Sequence, residues 1–184
     1  VRRWLGRGAA MGAALWLAAC ASVAPPDGAP VHSDFAADGR LVARGEVDGR
    51  HVNENANFRW RRSGETVTVE LGSPLGETRA RLIATPQEAS IRMSDGREAH
   101  ADDADQLLTE LTGLTLPVAQ LRWWIEGREA PSLPVKELSA EPAASRSIEQ
   151  AGWQVSFYDA APFPKRLVLK REALEVRVAV STWP

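Results

Sequence analysis

The sequence predicts a mainly β protein with a short helical insertion, built as one antiparallel sheet curled into a barrel or half-barrel. Three observations lead there. Apolar and polar residues alternate with period two through most of the chain after residue 35, the period turns helical between about residues 102 and 127, and the order is strands, a helical pair, then strands again. A long sheet with one apolar face must curl to cover it, and the helices then lie on the concave side. With 44% apolar and 25% charged residues among 184, the composition is that of a folded domain.

Taken in order, the chain begins "VRRWLGRGAAMGAALWLAAC". Arg2, Arg3 and Arg7 precede an apolar run from Gly8 to Leu17, too short to span a bilayer as a helix, and Leu17-Ala18-Ala19-Cys20 follows. This looks like a bacterial lipoprotein signal peptide ending in a lipobox, so residues 1–19 are expected to be removed. Cys20 is the only cysteine, which excludes an internal disulfide. By resemblance to bacterial lipoproteins it is expected to be lipidated. At about 0.8 kcal/mol per buried CH2, three acyl chains would anchor the protein essentially permanently. Residue 21 is Ala, not the Asp that resembles an inner-membrane retention signal in enterobacterial lipoproteins, so the outer membrane is expected. Residues 20–34, the lipidated Cys and the Ala, Pro, Gly and Ser after it, read as a flexible tether. Loss of three arginines makes the mature chain more acidic than the full chain's −2, which argues against nucleic acid.

The first strands follow the tether. Leu41 and Ala43 share a face, and in "VNENANFRW" Val52, Ala56, Phe58 and Trp60 share another, with Glu54 the exception. Val67, Val69 and Leu71 alternate with Thr66, Thr68 and Glu70; Ala80-Leu82-Ala84 and Ala89-Ile91-Met93 continue the pattern, with Ser63-Gly64 and Asp95-Gly96 as turns. Between two of these strands lies "ELGSPLGET", a turn in which Pro74 and Gly76 flank Leu75. A leucine at a turn either folds back onto the core or faces something apolar outside.

"DDADQLLTELTG" opens with acidic residues, which suit a helix N-terminus, then places Leu107, Leu108 and Leu111 at helical spacing before Gly113. "PVAQLRWWIEG" puts Pro117 in the first turn, aligns Val118, Leu121, Trp124 and Ile125, and stops at Gly127. The cluster Asp102, Asp103, Asp105 lacks the Gly and distal Glu of a calcium loop, so it reads as helix capping. Alternation resumes at Trp153, Val155 and Phe157, then Leu167 and Leu169, then Leu174 to Val180, for a total of about ten to eleven strands. Five tryptophans follow Cys20 (Trp60, Trp123, Trp124, Trp153, Trp183), as ordinary core or as the lining of a cavity.

Catalytic patterns are missing. His32, His51 and His100 form no HExxH or HxH pair, and neither a GxSxG elbow nor a GxxxxGK[ST] loop occurs. No enzyme and no metal or other cofactor is expected.

"DGRLVARG", "ANFRW", "LGSPLGETRARL", "ADDADQLLTELTGLTLPVAQLRWWIEG", "APSLP", "EQAGWQVSFYD", "PFPKRLVLKR" and "LEVRVAVSTW", in this order behind a lipobox, resemble the LolB family of outer-membrane lipoprotein receptors. They span nearly all of residues 35–183; Phe35, where relatives often show Trp, and the weakly patterned Lys136–Ser147 depart from it. The resemblance implies an unclosed antiparallel half-barrel domain over 35–184, an α-helical lid near 102–127, and a hydrophobic cavity for acyl chains. It implies a monomer on the periplasmic face of the outer membrane, anchored by lipid on Cys20. Its partners would be the periplasmic carrier LolA, triacylated lipoprotein cargo and outer-membrane phospholipid.

The expected acyl-chain cavity comprises Phe58, Trp60, Val69, Leu71, Leu82 and Ile91 from the first half of the sheet. Leu108, Leu111, Leu121, Trp124 and Ile125 would come from the lid, and Trp153, Phe157, Leu169 and Val178 from the second half. For each, ordinary core is the alternative. Relatives keep a Pro-Leu-Gly tip on a protruding hairpin, which implies a membrane-insertion loop of Pro74, Leu75 and Gly76. Arg79, Arg81, Arg122 and Lys165 are candidates for meeting an acidic carrier, or are solvated charges. The second function considered is an envelope structural or assembly lipoprotein that binds a protein partner on its concave surface.

Overall fold

The computed structural model describes residues 34–73 and 75–183. Cys20, the expected signal peptide and nearly all of the tether, and Pro74, lie outside the described residues. Eleven strands are present: β1 Phe35–Val47, β2 Arg50–Ser63, β3 Thr66–Gly72, β4 Thr78–Ala84, β5 Ala89–Met93, β6 Glu98–Ala101, β7 Val135–Leu138, β8 Arg146–Gln150, β9 Trp153–Tyr158, β10 Arg166–Arg171 and β11 Leu174–Thr182. They form one antiparallel sheet in the order β6-β5-β4-β3-β2-β1-β11-β10-β9-β8-β7. The sheet is not closed, because β6 and β7 are its edges. The chain passes from one edge to the other through α1 Ala104–Thr112 and α2 Val118–Trp124. This is the unclosed half-barrel with a helical insertion that the sequence predicts.

The inner row of β2 packs on small residues of β1. Trp60 stands opposite Ala37, Phe58 opposite Gly39, Glu54 opposite Ala43 and Val52 opposite Gly45. At Gly39 a Cβ would come within 2.9 Å of the Phe58 ring and 2.1 Å of the Ala179 carbonyl oxygen, so only glycine lets the three strands approach.

Strand register defines two ends. The turns β1–β2, β3–β4, β5–β6, β8–β9 and β10–β11 lie at one end, where Val47 pairs with Arg50 and Gly45 with Leu174. The start of β1, the finish of β11 and the β9–β10 loop lie at the other, where Phe35, Phe163 and Trp183 stack with centroids 5.3 to 5.8 Å apart. We call these the mouth end and the filled end.

The helices run between the two ends. Asp103 caps α1 by accepting from Gln106 N–H at 2.7 Å, and Gly113 ends it in the left-handed conformation at φ 73°. Pro117 is the N-cap of α2, one position earlier than its sequence suggests, and the helix ends at Ile125 before Gly127. Asp105 ties the pair together by accepting from the N–H groups of Val118 (2.8 Å) and Ala119 (3.3 Å).

Two polar pins fix the lid and the segment after it. Arg62 on β2 reaches Glu126 at 2.7 Å with side chains only 5% and 7% exposed, and Glu126 also accepts from Arg128. Buried Gln150 accepts from Trp124 Nε1–H and Ala130 N–H, each at 2.8 Å, and donates to the carbonyls of Ala130 and Leu133. A buried amide with its hydrogen bonds filled holds position instead of costing stability.

Candidate functional site

Between the concave face of the sheet and the helices lies a cavity of about 510 Å3. Its walls are Leu41 and Ala43 of β1, the inner rows of β2, β3 and β4, and Trp153, Leu169, Val176 and Val178 from the second half. Leu108, Leu114, Leu116, Val118, Leu121 and Ile125 form its roof.

One strand lines its whole length. Arg50, Val52, Glu54, Ala56, Phe58 and Trp60 are alternate residues of β2 and all border the cavity, because successive side chains of a strand point to opposite faces. Arg50 and Glu54 are exposed, Phe58 and Trp60 buried, so the lining grades from charged to aromatic with depth. The other polar lining groups, His51, Asn55 and Thr112, are exposed as well; His51 adjoins Arg50 and Thr112 adjoins Gly113 at the mouth end, while Asn55 lies midway along β2. The opening is therefore at that end. Trp60 is buried, and its indole N–H has no acceptor among the described residues.

Of the residues expected at the cavity, Phe58, Trp60, Val69, Leu71, Leu82, Leu108, Leu121, Ile125, Trp153, Leu169 and Val178 border it. Four do not. Ile91, Trp124 and Phe157 belong to the packed core, Trp124 with its indole turned to Gln150. Leu111 is 40% exposed, because it sits in the last turn of α1 where that helix reaches the mouth end. The four basic residues considered for meeting a carrier lie outside the cavity lining. Arg79, Arg81 and Lys165 are exposed, and Arg122 packs 4.8 Å from the Trp123 ring.

The β3–β4 turn is also at the mouth end. Gly76 N–H donates to the Ser73 carbonyl at 2.9 Å, Ser73 N–H to the Glu77 carbonyl at 2.8 Å, and Asn57 Nδ2 braces the Ser73 carbonyl from β2 at 3.2 Å. Gly76 has φ 92°, a conformation that favours glycine, and Leu75 is 92% exposed. The leucine has not folded back. It is by far the most exposed large apolar side chain among the described residues.

An open antiparallel half-barrel, a two-helix roof and a leucine-tipped hairpin beside the mouth are the arrangement on which comparison with known proteins bears. A family model described as outer membrane lipoprotein LolB matches residues 33–183. The chain belongs to the LolB family. Among curated relatives named outer-membrane lipoprotein LolB, that of Cupriavidus pinatubonensis is 36% identical, covering 92% of this chain and 88% of the relative. Those of Chromobacterium violaceum (35%; 92% and 94%) and Alkalilimnicola ehrlichii (33%; 93% and 92%) are similar over comparable spans.

Sequence reasoning about this LolB-family chain missed the mouth. Arg50, His51, Asn55 and Thr112 were not singled out as lining, nor were Leu114 and Leu116 of the inter-helix link. Glu54 carried a signal, since it breaks an otherwise apolar row.

Proposed function

We propose that the protein is a receptor anchored to the periplasmic face of the outer membrane by lipid on Cys20, with residues 1–19 removed and residues 20–34 as lipidated tether to the domain at 35–184. It accepts lipoproteins from the carrier LolA, holds their acyl chains in the cavity and inserts them into the inner leaflet. The names of its relatives, outer-membrane lipoproteins, support the location. The observation that carries the reading is the apolar cavity that opens at the same end as the exposed Leu75.

The dimensions suit an acyl chain. From Glu54 to Trp60 the lining of β2 runs six residues, about 20 Å at ~3.3 Å per residue. One leaflet of a bilayer is about 15 Å of hydrocarbon, half of a ~30 Å core. A chain that leaves a leaflet thus finds a sheath of comparable depth. Acylated cargo needs one, since each CH2 exposed to water costs about 0.8 kcal/mol. With no nucleotide-binding motif in the sequence, transfer runs downhill in affinity from carrier to receptor to membrane.

One inserted leucine contributes about 1.5–3 kcal/mol, far less than three acyl chains on Cys20. Leu75 therefore acts locally, disturbing the inner leaflet where cargo leaves the mouth. The test uses radiolabelled triacylated lipoprotein bound to its carrier. The wild-type protein takes the label and delivers it to liposomes; Leu75→Glu takes it but lowers delivery at least tenfold, the scale of ~1.4 kcal/mol or more. Failure of folded wild-type protein to take label from the carrier would refute the receptor, and normal delivery by the variant would refute the role of Leu75.

A further inference from the structure

Outside the cavity, the convex face of the sheet carries a second recess, of about 480 Å3. Arg40 of β1, Asn57 and Arg59 of β2 and Glu70 of β3 border it. These alternate with the inward Leu41, Phe58, Trp60 and Leu71, so they project from the outer face. Gly39 and Gly72 bring backbone to the recess in place of side chains, and Gly76 of the β3–β4 turn and Thr78 at the start of β4 close one side. The recess therefore begins one residue from Leu75.

Its charges are unevenly matched. Asp38 takes Arg61 at 2.8 Å, and Glu70 takes Arg59 at 2.7 Å with Arg81 beyond it at 3.9 Å. Arg40 is exposed and forms no ion pair among the described residues. Two neutral donors share its recess. The Asn57 amide spends one N–H on the Ser73 carbonyl and keeps the other, and Thr78 brings a hydroxyl, whereas the Ser181 hydroxyl is committed to the Asp38 carbonyl. A guanidinium without a counter-charge and two neutral donors, beside carboxylates that are already paired, suit an anion with several oxygens. The hairpin sets where that anion is met. Adjacent Cα atoms are about 3.8 Å apart, and the polar layer of a leaflet is about 5–7 Å thick. With Leu75 in the hydrocarbon, the recess stands at the level of the lipid phosphates.

We propose that this recess seats the phosphate of a phospholipid of the target leaflet, on the Arg40 guanidinium, the free Asn57 N–H and the Thr78 hydroxyl. The inference rests on the reading of Leu75 as the residue that meets the inner leaflet, and adds a polar contact beside it. A leucine senses hydrocarbon, which any bilayer offers; a phosphate contact senses the head group and orients the hairpin on the leaflet. The chain as a whole carries a net charge of −2, so attraction of the whole molecule to a phosphate-bearing surface does not supply this contact.

The test uses the full-length lipidated protein in vesicles of phosphatidylcholine, which has a phosphate and no net charge, or of digalactosyldiacylglycerol, which has neither phosphate nor charge. Hydrogen exchange of the Gly72–Thr78 hairpin is read by mass spectrometry. Exchange is expected to be at least about threefold slower in phosphatidylcholine, the scale of one charge-assisted contact at an exposed site. Arg40→Gln brings the rate in phosphatidylcholine up to that in the galactolipid, Arg40→Lys recovers part of the slowing, and Arg92→Gln, the same charge change two strands away on β5, leaves it in place. A melting transition checks that each variant is folded. Equal exchange in the two lipids, slowing that survives Arg40→Gln, or an equal loss with Arg92→Gln would overturn the proposal. So would full slowing by inorganic phosphate alone in galactolipid vesicles, which would make the ligand a free anion. Uptake of labelled lipoprotein from the carrier is measured on the same wild-type preparation. If uptake succeeds while exchange ignores the lipid phosphate, the recess is wrongly assigned and the receptor stands; if uptake fails, the receptor reading itself is at fault.

Discussion

The two ends of the half-barrel hold the same lid in different ways. At the filled end Arg62 and Glu126 form a buried ion pair between β2 and the chain just after α2, next to the stacked rings of Phe35, Phe163 and Trp183. At the mouth end Arg50 rests against Gly113 as a cation beside a helix C-terminus, and no ion pair among the described residues joins lid to sheet there. A helix-terminus charge at the surface contributes about 0.3–1 kcal/mol, whereas breaking a buried pair costs several times that. Along β2 the lid is thus fixed by a buried pair at the filled end and loosely held at Arg50, while the Gln150 pin holds α2 from β8 on the other half of the sheet. A ligand that enters needs to displace only the weaker contact.

The strongest challenge to this asymmetry is at Glu126. Changing Glu126→Gln leaves Arg62 buried opposite a neutral amide, and such an orphaned charge costs about 3–5 kcal/mol. Urea unfolding should show a midpoint much lower than wild type with an unchanged slope. Replacing both partners, Arg62→Met with Glu126→Leu, should recover most of the loss, because the desolvation cost of both charges goes with them. A loss under 1 kcal/mol for Glu126→Gln would mean that the filled end is no firmer than the mouth.

At the mouth the corresponding change is Gly113→Ala. The residue adopts φ 73°, where a Cβ costs about 1–2 kcal/mol, and that Cβ would also collide with the Arg50 guanidinium. The collision is cheap, since it meets the end of a flexible side chain. The expected loss is therefore about 1–2 kcal/mol in the same unfolding measurement, and adding Arg50→Ala should change it by only a few tenths. A coupling as large as the loss itself would show that Arg50 is a rigid strut and would weaken the contrast between the ends.

The sequence made this contrast only partly legible. The long strands were readable because their inner rows alternate cleanly: Phe58 and Trp60, Val67 to Leu71, Leu174 to Val180. β6, β7 and β8 were not. In β7 three of four residues are exposed, as befits an edge strand, and β8 buries Ser147 and Gln150 beside Ile148, so its polar residues sit inside on hydrogen bonds that no periodicity reveals. Alternation also identifies an inward face without saying what that face meets. Phe58 and Phe157 carry the same signal and both are buried in the core, yet only Phe58 borders the cavity. The mouth was hidden for the opposite reason. Arg50 and Glu54 look like surface residues, and only the shared row on β2 assigns them to the cavity.

The smallest expected effect sharpens how the two helices move together. Burial pushes the Asp105 carboxyl above its ordinary range, against the N–H groups of Ala119 and Val118 that pull it down. The folded state then takes up this proton at a higher pH than the unfolded chain does. As pH falls through the raised value toward the ordinary one, Asp105 makes the protein more stable; as pH rises through that window, the gain is lost. Glu141 works the other way, since its hydrogen bond to Lys170 holds its carboxyl below the ordinary range and its stabilisation disappears only as pH falls through that lowered value. Asp105→Asn keeps a side-chain oxygen for Val118 and Ala119 but cannot titrate. Stability at pH 7 should change by no more than about 0.5 kcal/mol. As pH falls from 7 toward the ordinary carboxylate range the variant should lose more stability than the wild type, because it lacks a group that gains there. If the two pH profiles run parallel, the carboxylate joining α1 to α2 is not under desolvation strain, and the helices are coupled by their apolar faces alone.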